Sequence, residues 1–172
     1  MKNPRLLVPV AVLGLSLTGA SSVVAAGPER DPVTVDSYDF QFSCGDDFDV
    51  RISGTSSTKS LFWLDEQGNV TRFRMQVSAP RDVLTNLDTM TSVEVGAHFV
   101  QTYTRVPGTN EYTVTVVGHR YLATDPGAGI IMRDVGRIVF SDPSEQTVTF
   151  EAGVHDAADP DLLGLALCGV VD

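Results

Sequence analysis

Charged residues interrupt the alternation of two long apolar segments, and these residues could do chemistry. In residues 111–124, EYTVTVVGHRYLAT, Arg120 shares the apolar face. In residues 127–140, GAGIIMRDVGRIVF, Asp134 falls among Ile, Met and Phe, and Arg137 follows it. A buried aspartate without a partner is protonated or very costly, whereas one matched with arginine keeps its charge. We interpret Asp134 as a structural ion pair with Arg120 or Arg137, or as lining a ligand pocket with them; a β-bulge that turns Asp134 outward is the third interpretation.

The histidines offer one further candidate for acid–base chemistry. His155 lies beside Asp156 in EAGVHD, at the end of a predicted strand, where it either closes a hydrogen-bonded turn or lines the mouth of a cavity. No third member of a catalytic triad is evident in the sequence. His98 and His119 are interpreted as surface or rim residues.

Metal and cofactor motifs have little support in this sequence. Residues 44–49, CGDDFD, cluster three aspartates but lack the glycine and the distal glutamate of a calcium loop. Residues 127–132, GAGIIM, lack the third glycine of a dinucleotide fingerprint and open a strand-like segment. No Gly-x-Ser-x-Gly elbow, His-Glu-x-x-His motif or phosphate loop occurs. We predict no cofactor and no metal.

The segments that must position these residues are β-strands. Short runs rich in Val, Thr, Phe, Tyr and Ile alternate with the turn sequences CGDD, GTSS, EQGN, PGTN, TDPGAG and SDPSEQ. This pattern predicts eight or nine strands, with VLTNL as a strand of its own. Because the connections are too short for helical crossovers, the sheet should be mainly antiparallel.

The length of the strands favours an all-β fold built as an eight-stranded antiparallel barrel. Three runs have 11 to 14 residues, and Gly118 and Gly136 lie inside two of them, where glycine permits strong bending. A two-sheet β-sandwich is the alternative. One short C-terminal helix is expected, because Asp159 can cap it, Pro160 fits its first turn, and an apolar face follows at Leu162, Leu163, Ala166 and Leu167.

The N-terminus predicts an exported protein. Residues 1–26 combine a basic start, an apolar run and a small-residue cleavage site after Ala26, as in a secretory signal peptide. The apolar run is shorter than the roughly 20 residues that span a bilayer, and no later stretch could span one. We expect residues 27–36 to be a flexible lead-in and residues 37–172 to form a single secreted domain.

Charge and cysteine content constrain the partners and the compartment. Residues 1–26 hold Lys2, Arg5 and no acidic residue, so the mature chain keeps 10 basic and 22 acidic residues, a formal charge of −12. Such acidity argues against nucleic acid or an anionic membrane as partner. In an exported chain, Cys44 and Cys168 are expected to form a disulfide, which stabilises the fold by roughly 4 to 5 kcal/mol in the entropic model. The residues give no signal for oligomeric state.

Over roughly Phe40 to Cys168, the chain resembles exported actinobacterial proteins with an allene oxide cyclase-like, calycin-like barrel. The segments that carry this resemblance are FQFSCGDDFDVRISG, LTNL, VTVVGHRYLATDPGAGIIMRDVGRIVFSD, VTFEAGVHD and LLGLALCGVVD. The resemblance implies an eight-stranded barrel whose interior can hold an apolar ligand. It does not imply cyclase activity, because the polar groups of the plant cyclases and the acidic residues of the related dirigent barrels cannot be matched in this sequence.

Three functional expectations follow from these observations. The first is a secreted, disulfide-bridged β-barrel that binds a small apolar or amphipathic molecule without catalysis. The second is a cyclase or isomerase of the allene oxide cyclase or dirigent type, with Asp134, Arg120, Arg137 or His155 as polar groups in the cavity. The third is a structural or surface-interaction protein with a filled barrel.

Overall fold

A computed structural model describes residues 27–45, 47–125, 127–156 and 166–172. The chain is all-β, and eight antiparallel strands belong to a single sheet, as predicted. The strands are β1 (Glu29–Arg30), β2 (Thr34–Ser43), β3 (Asp49–Leu64), β4 (Val70–Asn86), β5 (Ser92–Arg105), β6 (Tyr112–Asp125), β7 (Gly129–Phe140) and β8 (Val148–His155).

Each strand from β3 onward pairs with the next along the chain, and β1 and β2 both pair with β3. In the described part of the chain no pairing joins β8 to β1 or β2, so the sheet has two free edges. The antiparallel sheet is therefore confirmed, whereas closure into a barrel stays a prediction. Strands also begin inside the predicted lead-in, because β1 and the start of β2 lie within residues 27–36.

One expected turn and one expected strand boundary are wrong, because the chain continues as strand through both. GTSS lies inside β3, where the register shifts between Ser53 and Ser57, and residues 83–86 of VLTNL are the end of β4 rather than a separate strand. In β4 the register shifts between Ala79 and Asp82, which places Pro80 at an irregular position where a missing backbone N–H costs no ladder hydrogen bond. Small and turn-forming residues here mark bulges rather than strand ends.

A row of glycines with positive φ crosses the C-terminal half of the sheet. Gly118, Gly136 and Gly153 are direct neighbours on β6, β7 and β8, and all three have positive φ, at 126°, 146° and 132°. A Cβ on Gly136 would collide with the carbonyl of Ala152 and the backbone of Gly153. Glycine is required in this row because the strands adopt a backbone that side chains disfavour and approach one another closely.

The core is divided between the two ends of the inward face. At one end, Val50, Leu84, Val93 and Met132 pack against the residues around the disulfide. At the other end, the core comprises four buried side chains, those of Val114, Val116, Ile138 and Phe140. Between the two clusters lies a belt of buried polar residues, described below.

The predicted Cys44–Cys168 disulfide is present, with 5.7 Å between the Cα atoms. It holds a short helical turn, residues 166–169, against the first core cluster. The predicted start of the C-terminal helix, at Asp159 and Pro160, lies outside the described residues, as does the predicted signal peptide. Within the described chain, no helix is long and apolar enough to cross a membrane.

The glycine row yields a stability prediction. Gly136→Ala should lower the free energy of unfolding by about 3 kcal/mol, because a Cβ strains the positive φ and strikes the neighbouring backbone. Gly169→Ala is the matched control, since a Cβ there meets nothing within 4 Å. Urea unfolding followed by Trp63 fluorescence measures both; equal midpoints for the two variants would contradict the proposed role of the row.

Candidate functional site

The two charges singled out in the sequence meet at a bulge in β6. The register between β6 and β7 shifts between His119 and Tyr121, so that Arg120 is the extra residue and Tyr121 pairs with Asp134. Despite the bulge, Arg120 stays on the inward face and reaches the carboxyl group of Asp134 on the neighbouring strand.

Asp134 is buried, with 1% of its side-chain surface exposed, and both of its oxygens have partners. Arg120 donates from Nε and Nη2 to Oδ2 at 2.9 and 2.8 Å. His155, opposite Asp134 on β8, places Nδ1 2.8 Å from Oδ1. Because a carboxylate only accepts hydrogen bonds, the hydrogen in this contact is on Nδ1. One buried charge thus joins β6, β7 and β8.

The glycine row makes room for this arrangement. The His155 ring passes over Gly136, where Nε2 would lie 3.0 Å from an added Cβ. A side chain at that position would push the imidazole away from Asp134. Backbone curvature and the buried ion pair therefore depend on the same residue.

The connection between β7 and β8 adds Glu145, a residue that the sequence did not single out, to the group around Asp134. Glu145 has φ of 59° and turns its carboxylate inward, where Arg120 Nη1 donates to Oε2 at 3.2 Å and Gln101 donates to Oε1. The Asp142 carboxylate accepts hydrogen bonds from Ser144, Gln146 and Thr147 and fixes the turn around Glu145. The resulting set, Gln101, Arg120, Asp134, Glu145 and His155, is called the polar cluster below.

Burial dominates the electrostatics at the accessible end of the polar cluster. It raises the pKa of Glu145, although Arg120 opposes the shift, and it raises the pKa of the neighbouring Tyr103 phenol. Asp142, which accepts several hydrogen bonds at the surface, has its pKa lowered chiefly by the Ser144 hydroxyl. Glu145 therefore takes a proton more readily than an ordinary exposed glutamate.

Arg137 does not join the polar cluster. It lies on the outward face of β7, exposed, with its guanidinium 5.3 Å from the centre of the Phe150 ring. Of the four site residues predicted from sequence, the structure brings Asp134, Arg120 and His155 together and leaves Arg137 on the other side of the sheet.

A second buried acid lies on the other half of the inward face. Asp82 is 8% exposed, and its Oδ1 has no hydrogen-bond partner in the described chain. Its carboxyl group occupies the space left by the missing side chain of Gly54, beside the Tyr38 hydroxyl. Burial raises the pKa of Asp82, against a smaller opposite effect of Tyr38, and burial and Asp82 together raise the pKa of Tyr38.

Next to the polar cluster, three aromatic residues form a row across the inward face. Phe62, Phe73 and Tyr103 are direct neighbours on β3, β4 and β5, with ring centres 4.7 and 5.7 Å apart. All three are only half-buried, although they point into the concave side of the sheet. Part of each ring therefore remains accessible on the inward face, beside Glu145.

The polar cluster can do little chemistry, because the hydrogen-bonding groups at its centre already have partners. Both Asp134 oxygens are occupied and the group is almost inaccessible, so it offers no free base to a substrate. In the described residues, no group of three or more His, Cys, Asp or Glu side chains is placed to hold a metal ion. The geometry is that of a structural ion pair whose accessible polar end is Glu145, while Gln101 behind it is buried.

No family model, curated protein or solved structure matches this chain.

Asp82 yields a prediction about pH. Because its folded pKa is raised, the folded state binds the proton more tightly than the unfolded chain, and native stability falls as pH rises from the ordinary value of 3.8 through the folded pKa. Asp82→Asn should therefore be more stable than the native protein at pH 7, with an advantage that shrinks toward pH 4.

Urea unfolding at several pH values measures this difference. Asp39→Asn is the control, because hydrogen bonding to Arg51 lowers the pKa of Asp39, the opposite sign. If Asp82→Asn destabilises the protein equally at every pH, Asp82 carries no raised pKa.

Proposed function

We propose that this protein binds a small amphipathic molecule on the concave face of its sheet, without catalysis. The observation that carries the proposal is the half-buried row of Phe62, Phe73 and Tyr103. Large apolar side chains on an inward face are normally fully buried, and partly exposed aromatic surface beside a few polar groups is typical of ligand sites.

The polar and apolar parts of the surface suggest how the ligand lies. Its apolar body would cover the aromatic row, and its polar end would reach Glu145, which is partly exposed. A hydroxyl or amide suits this end better than a carboxylate, because Glu145 is itself acidic and Arg120 already donates to Asp134 and Glu145. The ligand class is therefore a neutral amphipathic molecule.

This proposal includes the finer expectations from the sequence. We infer an exported protein whose sheet curls toward a barrel of the allene oxide cyclase-like type, with the ligand between β3 and β8. The disulfide supports an oxidising compartment. The free edges and strong bending at the glycine row are compatible with a barrel that is open along one side.

A neutral fluorescent probe, N-phenyl-1-naphthylamine, tests the proposal. We expect saturable binding, weakened about tenfold or more by Phe73→Ala, because a buried Phe side chain contributes roughly 1.5 to 3 kcal/mol. Far-UV circular dichroism of the variant checks that the sheet is retained.

Phe150→Ala is the matched control, since Phe150 is exposed on the outward face. It should leave probe affinity unchanged. Absence of probe binding by the native protein, or equal weakening by both variants, would overturn the concave-face site.

A further inference from the structure

Although the chain is acidic overall, the outward face of the sheet carries a cluster of positively charged side chains. Three cross-strand rows of side chains run over this face from β3 toward β8, and they hold Lys59, Arg72, Arg74 and Arg137. Arg30 joins one of these rows through its pairing with Leu61. Half of the ten basic residues that follow residue 26 therefore share one surface.

These rows contain no carboxylate. Their other members, read from the strand register, are Leu61, Trp63, Gln76, Val100, Thr102, Thr104, Thr113, Thr115, Val117, Val139, Phe150 and Ala152. Across the described residues, the ion pairs of arginine involve Arg51, Arg105 and Arg120, and none involves Arg72, Arg74 or Arg137. In a chain with 22 acidic residues, this separation leaves the cations available to an external anion.

The surface is shaped as a groove. A depression of about 630 Å³ crosses β4 to β7, with Arg72 and Arg74 at one end, Arg137 at the other, and threonine hydroxyls between them. Three strand intervals separate the two ends, about 14 Å at the usual strand spacing. One small anion cannot contact both ends, whereas an extended chain can.

Two of the arginines are held in place by aromatic rings. The Arg72 guanidinium lies 4.9 Å from the centre of the Trp63 ring, and Arg137 lies over Phe150. Such cation–π contacts orient the guanidinium and leave its N–H groups free to bind a carboxylate or sulfate in a bidentate manner. Thr102, Thr104 and Thr115 add donors and acceptors suited to hydroxyl groups.

We propose that this groove binds an acidic polysaccharide, a chain of hydroxyl-rich units carrying carboxylate or sulfate groups. Sparse anionic groups fit the two cationic ends, and the sugar hydroxyls fit the threonines between them. Nucleic acid fits less well, because its dense backbone charge would meet a molecule of strongly negative net charge. Its bases would also find Trp63 and Phe150 already covered by arginine.

Polygalacturonate is the probe, and Trp63, the single tryptophan, reports binding because Arg72 covers its ring. We expect a saturable change in Trp63 emission that weakens as salt is raised. Arg74→Gln and Arg137→Gln should each weaken binding about tenfold. Arg81→Gln, an exposed arginine outside the groove, should leave binding unchanged.

Two further ligands complete the test. Neutral dextran should not bind, and single-stranded DNA of equal total charge should bind more weakly than polygalacturonate. Equal loss in the Arg81→Gln variant, no binding of polygalacturonate at low salt, or tighter binding of DNA would overturn the proposal. Binding of the neutral naphthylamine probe is independent of these outcomes, since its site lies on the opposite face.

Discussion

The ion pair between Arg120 and Asp134 is the interaction on which the interior of this protein depends. A carboxylate with 1% exposure can keep its charge only where its partners replace the lost water. Those partners come from both neighbouring strands. Arg120 lies at a bulge in β6, and His155 requires a glycine beneath its ring. The position of His155 and the backbone of the glycine row thus depend on the same residue, Gly136.

The two faces of the sheet carry different chemistry. The concave face presents half-buried aromatic rings beside Gln101 and Glu145. The outward face presents threonines and arginines, and at each end of its groove an arginine lies over an aromatic ring. Period-two alternation is sufficient to build both, because successive residues of one strand supply opposite surfaces. In β4, for example, Phe73 belongs to the concave face, and its neighbours Arg72 and Arg74 belong to the groove. This local cluster of arginines on the outward face is not evident from the acidic net charge of the chain.

Much of the fold follows from the sequence, and the predictions that were wrong have identifiable physical causes. Alternation predicted the strands, the short connections predicted that they are antiparallel, and an even cysteine count predicted the disulfide. GTSS has the composition of a turn, but Gly54 lies inside β3 because Asp82 from β4 occupies the space of its missing side chain. The sequence left Arg120 and Arg137 open as partners of Asp134, and the structure decides between them because Arg137 lies on the outward face of β7.

The remaining members of the site arise from tertiary structure. Glu145 looks like a surface residue of the turn SDPSEQ, and only its positive φ and the hydrogen bonds to Asp142 direct it inward. Gln101 lies within an alternating strand, where a lone inward polar residue has no visible partner until Glu145 reaches it. The open edge beside the aromatic row is likewise a property of strand pairing that no local segment contains.

A double-mutant cycle between Arg120 and Asp134 tests most directly whether their ion pair is structural. Arg120→Met and Asp134→Leu should each lower the free energy of unfolding by about 3 kcal/mol, because each deprives a buried charged group of an ion-pair partner 2.8 Å away. The double variant should recover much of that loss and still bind the neutral naphthylamine probe. Additive losses, or single variants that keep native stability but no longer bind the probe, would contradict a structural role for the pair.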